Sequence, residues 1–219
     1  MDNKMKRILA LGVLFSLLPF RFSPIHAEGI EHVFTSMPDS IFSLLTERNR
    51  RDMVDFYNNK MEAKVRNRLG EYSQLDTLTD EYLHLTLSKV GTAEMRMLET
   101  DDSVKVVCLI QTVAAPVRDS RVRFFSMDWQ QLYWIELPMP STEDFFTEVP
   151  DSVSRTMQFA QHSIDDLRLV EIAVSPETPD FTYKLSCQEL AEEEKKVARQ
   201  YVRFLRYHWT GSQFVRIDS

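Results

Sequence analysis

Glycine is scarce in this chain, five in 219 residues, at positions 12, 29, 70, 91 and 211, and none stands where phosphate or acyl chemistry requires one. There is no Walker loop and no dinucleotide fingerprint, because both need clustered glycines to bring backbone N–H groups against a phosphate. No serine is flanked by the small residues of a hydrolase nucleophile elbow. Cysteine is scarcer still: Cys108 and Cys187 are the whole complement, without a C-x-x-C pair. His26, His32, His84, His162 and His208 are scattered and form no H-E-x-x-H, so no zinc site is nominated. Positive charge is in deficit, with a net charge of -7, so the chain lacks the basic footprint that nucleic acid or an anionic membrane selects.

What is present begins with Lys4, Lys6 and Arg7, followed by an apolar stretch from Ile8 to Leu18 and a Pro-containing exit ending at Ala27. This is the pattern of a secretory signal peptide. The stretch is shorter than the roughly 20 apolar residues a spanning helix needs. Cleavage near Ala27 would leave residues 28–219 with a net charge of about -10, as a periplasmic or secreted product without stable membrane insertion. In such an oxidising compartment a Cys108–Cys187 bridge is an alternative to two buried thiols. The apolar run around Cys108 reads as a central strand and favours the thiols.

The chain also repeats itself. Met37-Pro38 and Leu44-Leu45-Thr46-Glu47 recur as Met139-Pro140 and Phe145-Phe146-Thr147-Glu148. The alternating Leu83, Leu85, Leu87, Ser88 recurs as Val170, Ile172, Val174, Ser175, and Val122-Arg123-Phe124-Phe125 with Trp129 recurs as Val202-Arg203-Phe204-Leu205 with Trp209. The order is the same in both copies, and the shared positions are apolar or turn-forming, so the duplicated unit is a packing unit. Two related halves are expected, residues 28–137 and 138–219, divided near Pro138.

Each half reads as a helical pair followed by an antiparallel sheet, an α+β fold. In the first, a short helix is expected from Pro38 to Leu45, then an amphipathic helix from a Thr46 cap to Asn59, with Arg48, Arg50 and Arg51 on its solvated face. Period-two runs at 63–69, 83–87 and 94–97 give half-buried strands, and 104–115 is apolar enough to be covered on both faces. In the second half, 141–162 reads as another helical pair, and strands are expected at 167–174 and 181–185. A capping box at Ser186-Cys187-Gln188-Glu189 predicts a helix from Gln188 to Arg199, with a Glu192–Lys196 pair. A hairpin closes the chain around Thr210-Gly211-Ser212.

The carboxylate pairs Asp101-Asp102, Glu143-Asp144 and Asp165-Asp166 fall at turns and helix starts, where such groups cap backbone amides. His84, on the polar face of a strand, reads as solvated. No catalytic or metal-ligating residue is nominated and no cofactor is implied. The candidate recognition residues are aromatic: Tyr133, Trp134, Trp129, Trp209 and Tyr207, of which Tyr133 and Trp134 fit a core least well.

Several segments resemble a known family: Met37-Pro38-Asp39-Ser40, Leu45-Thr46-Glu47, Asn49-Arg50, Asp52-Met53-Val54-Asp55-Phe56, Leu78-Thr79-Asp80 with Tyr82-Leu83, and the tail Arg206-Tyr207-x-Trp209-x-Gly211-x-x-Phe214. They are similar, in order and spacing, to the exported proteins of Bacteroidales grouped as domain of unknown function 3256. The departure is Thr210, where Asn or Asp is expected. The resemblance implies a cell-envelope protein and carries no assigned activity. The expectation is therefore a non-enzymatic binding or assembly protein with a protein or glycan partner in the envelope. A hydrolase of carbohydrate or peptide, and a structural envelope component, are the alternatives.

Overall fold

The computed structural model describes residues 29–114 and 116–217; the signal-peptide segment expected at 1–27 lies outside them. Two helices come first, α1 (Ile30–Ser36) and α2 (Glu47–Asn58). A meander of antiparallel strands follows: β1 (Lys64–Arg66), β2 (Tyr72–Leu78), β3 (Tyr82–Ser88), β4 (Gly91–Glu99), β5 (Lys105–Ala114), β6 (Arg118–Ser126) and β7 (Gln131–Leu132). They form a seven-stranded sheet in chain order. After a 3₁₀ turn at Glu143–Phe145 come α3 (Asp151–Asp166), β8 (Val170–Val174), β9 (Asp180–Leu185), α4 (Glu192–Tyr201), β10 (Leu205–Trp209) and β11 (Phe214–Arg216). The last four strands make a second antiparallel sheet in the order β11-β10-β9-β8. The class is α+β. The halves follow one plan loosely, since the sheets have seven and four strands and α4 interrupts the second.

Helix α2 starts where its sequence says it should. Thr46 Oγ1 accepts the Asn49 backbone N–H at 3.1 Å and Asn49 Oδ1 accepts the Thr46 N–H at 3.1 Å, so two otherwise orphaned donors are satisfied reciprocally. The segment before it corrects an expectation. Residues 38–45 form turns, and the first helix is α1, in a stretch that carries no clear sequence signal. The cause is Arg50, which is not on the solvated face with Arg48 and Arg51 but is 0% exposed. Its Nε donates to Phe34 O at 2.9 Å, Nη1 donates to Leu45 O at 2.6 Å, and Nη2 donates to Met37 O. Asp39 Oδ1 neutralises it from 3.1 Å. The chain wraps a guanidinium there, and its carbonyls point at Arg50 where a helix would point them at amides.

The expected capping box at Ser186 is instead a turn, with Ser186 Oγ accepting the Gln188 N–H at 3.2 Å. The helix starts later, where Glu192, Glu193 and Glu194 fill its first turn and suit the positive end of its dipole. Lys195 pairs with Glu192 at 2.9 Å, in place of the expected Lys196.

Strand β5 is buried on both faces, as its unbroken apolar run requires. Val107 and Leu109 join Leu83, Leu85, Met95, Met97 and Phe125 beneath Ile30, Phe34, Met53 and Val54 of the first two helices. Val106, Cys108 and Ile110 face the other way and share a core with Ile172, Phe181, Tyr183, Leu205 and Tyr207 of the second sheet and Met157, Ile164 and Ala198 of α3 and α4. Cys108 and Cys187 are both buried free thiols in this core. The second core straddles residue 138, so the halves distinguished by sequence are joined in packing.

Candidate functional site

The second sheet docks on the first through its edge strand. In an antiparallel sheet the outer strand turns alternate N–H groups away from its neighbour, and each needs a partner once buried. On β8 those groups belong to Val170, Ile172 and Val174, and the first sheet meets them one by one. Val170 N–H donates to Asp119 Oδ1 at 3.1 Å, Ile172 N–H to Ser120 Oγ at 2.9 Å and Val174 N–H to Glu94 Oε2 at 3.2 Å. Arg96 continues the row past the end of the strand, donating through Nη1 to Ser175 O at 3.2 Å and Pro176 O at 2.6 Å.

Beside this seam lies a groove of about 360 Å³. Its floor is Val122, Val170, Ile172 and Tyr183, and one wall is the extended segment from Leu137 to Pro140. Asp119, Ser120, Arg121 and Arg168 complete the lining. The Asp119 and Ser120 side chains are already bound to β8, and Arg168 Nη1 holds the wall by donating to Pro140 O at 2.9 Å. Tyr183 is buried edge-on against Tyr207, ring centroids 5.0 Å apart, and its hydroxyl meets no partner among the described residues. Burial pushes that hydroxyl's pKa up, so it stays protonated and is a donor without an acceptor.

The five aromatic candidates separate into two groups. Trp129, Tyr207 and Trp209 are core residues, a correction to their expected place on a recognition surface. Trp129 Nε1 donates to Val33 O at 3.2 Å and Trp209 Nε1 to Glu99 O at 2.8 Å, so one indole ties the β6–β7 turn, and the other ties β10, to a distant segment. Tyr133 and Trp134 stand 80% and 56% exposed, in the segment that runs from β7 into the groove wall, and Met139 of that wall is 78% exposed. The wall reads in sequence as boundary punctuation; its signal was Leu137 and Met139 interleaved with Pro138 and Pro140, too constrained for a strand and too apolar for a solvated loop.

The groups that suggest acid–base chemistry are occupied elsewhere. Glu94 is held above the ordinary carboxyl range by burial, and its Oε2 accepts both the Val174 N–H and the Tyr82 hydroxyl, the latter at 3.2 Å. His84 is not simply solvated: its Nδ1 lies 2.9 Å from Asp76 Oδ2, which also accepts from Thr86 at 2.7 Å. Asp144 Oδ2 caps Ser141 through the backbone N–H and the hydroxyl, both at 2.8 Å, which holds its pKa below the usual carboxylate range. Asp165 accepts from Thr142. A second cavity of about 320 Å³, near Trp209, contains Glu81 at 3.6 Å from both Arg96 and Lys105, where the charges largely offset one another. Among the described residues no three His, Cys, Asp or Glu side chains could together hold a metal ion.

The model of a family described as protein of unknown function (DUF3256) matches residues 22–214. The chain belongs to that family. No curated protein matches it. A solved structure of a domain of an uncharacterized protein from Porphyromonas gingivalis W83 is similar to this DUF3256 chain, with 27% identity and a TM-score of 0.71, over 87% of this chain and 98% of that one.

Proposed function

We propose that this protein is an exported, non-enzymatic binding or assembly protein of a Bacteroidales cell envelope, and that the 133–140 segment with its groove is where it engages a protein or glycan partner. The observation that carries the reading is the pair Tyr133 and Trp134, large amphipathic side chains left in solvent on the segment that leads into the wall of an apolar groove whose floor is fixed by hydrogen bonds. Such residues supply much of the energy at recognition surfaces because they bury a large area at small entropic cost. The charged and short apolar stretches before Ala27 support export. Among the described residues no helix is long and apolar enough to cross a membrane. The occupied carboxylates weigh against the hydrolase alternative.

The test is a pull-down from envelope extracts with the intact chain and with a Tyr133→Ala, Trp134→Ala double variant. A partner retained by the first and weakened by about tenfold or more with the second is expected, since truncating a hot-spot aromatic costs about 2 kcal/mol or more. Recovery of no partner, together with turnover on a panel of envelope glycans, would replace this reading with an enzymatic one.

A further inference from the structure

We infer that the groove between the two sheets binds a small anionic amphiphile, its apolar body on Val122, Val170 and Ile172 and its carboxylate or phosphate head at Arg121 and Arg168. This inference rests on the groove being part of the recognition surface and narrows what enters it. The volume of about 360 Å³ lies at the lower end of small-molecule sites and is too small for a helix or a folded partner.

The charge of the lining selects the head group. The chain as a whole is acidic, at -7, yet the groove carries two guanidinium groups and one carboxylate. That carboxylate, Asp119, is bound to the Val170 N–H, and neither Arg121 nor Arg168 forms an ion pair among the described residues. A guanidinium is matched in shape and charge to a carboxylate or phosphate. The floor excludes a wholly polar ligand, because hydrated groups would lose their water there without compensation.

Tyr183 adds apolar surface to the floor: it is 2% exposed, and its hydroxyl is sealed among core residues and takes no part in the groove. The floor is also held in place before any ligand arrives, because Ser120 and Asp119 fix β8 from the first sheet.

The experiment is calorimetric titration of the purified chain with dodecanoate and dodecyl phosphate below their micellar concentrations, with dodecanol as the uncharged control and phosphatidylglycerol vesicles as the membrane control. Monomeric dodecanoate or dodecyl phosphate is expected to bind at least about tenfold more tightly than dodecanol, with that advantage lost in an Arg121→Gln, Arg168→Gln double variant. Equal binding of the acid and the alcohol, indifference to the arginine variant, or binding to vesicles in place of the monomers overturns the inference. Absence of amphiphile binding alongside aromatic-dependent partner capture removes this inference and leaves the proposed function standing. Amphiphile binding without partner capture does the reverse.

Discussion

The two faces of the seven-stranded sheet are covered by different physics. One is covered by the chain that immediately precedes it, α1 and α2, through apolar contact between side chains such as Phe34, Met53, Leu83 and Met95. The other is covered by the distant half of the chain, and there a row of polar side chains, Glu94, Arg96, Asp119 and Ser120, binds the incoming backbone directly. Apolar burial is non-directional and tolerates sliding, whereas each hydrogen bond to a strand edge accepts one register. The lesson is that both layers are seated on apolar contact, and the layer supplied by remote sequence adds a row of directional bonds along its edge strand.

Arg50 is the point at which that contrast is most exposed to test, because it is a polar anchor within the helix-covered face. Arg50→Ala is expected to cost about 3–5 kcal/mol, since it leaves the buried carbonyls of Phe34, Met37 and Leu45 without their donor and opens a void. Urea unfolding followed by circular dichroism measures it. A loss below about 1 kcal/mol would mean that apolar contact suffices on that face and would sharpen the comparison.

Glu94 tests the opposite face. Glu94→Ala is expected to cost about 1–3 kcal/mol, because the Val174 N–H and the Tyr82 hydroxyl both lose their acceptor. Its ionisation adds a signature in pH. Burial raises the folded carboxyl's pKa, so between the ordinary carboxyl value and the raised one the folded chain holds a proton that the unfolded chain has released. Stability from this group is therefore present at low pH and declines as pH rises through that window. Glu94→Gln should flatten that part of the stability profile, and an unchanged slope would show that the decline arises elsewhere.

Ser120→Ala is the mildest of the three, at about 1 kcal/mol, because one N–H of β8 loses its acceptor near a partly open groove. Amide hydrogen exchange should show faster exchange at Ile172 while Tyr183, its partner in β9, is little changed. Equal acceleration across the second sheet would mean that the staples act collectively.

Much of this was legible in the sequence, and the limits have identifiable causes. Strands β3 and β4 and the doubly buried β5 followed from period-two and unbroken apolar runs, because strand side chains alternate strictly between faces. The α2 cap followed from Thr46, since capping is a local interaction. The burial of Arg50 was not legible, because its partners at Phe34 and Met37 are 16 and 13 residues away and offer only backbone oxygen, which no residue type advertises. The staples were hidden for the same reason at longer range, with Ser120 and Ile172 separated by 52 residues and Glu94 and Val174 by 80. Tyr207 and Trp209 could not be told from Trp134 by type. Their alternation with Leu205 places them inward, whereas Tyr133 and Trp134 lie just beyond a strand of two residues, Gln131–Leu132, that gives alternation nothing to act on.

Since the outer margin of β8 is completed by atoms of the other sheet, the later part of the polypeptide finishes its hydrogen bonding only where it meets the earlier part. Strand β8 takes its register from β9 on one side and meets the meander of residues 64–132 with the other. Dependence runs both ways along the chain: β8 finishes its border on the meander, and the buried Glu94 and Arg96 of the meander find partners in the backbone of residues 174–176.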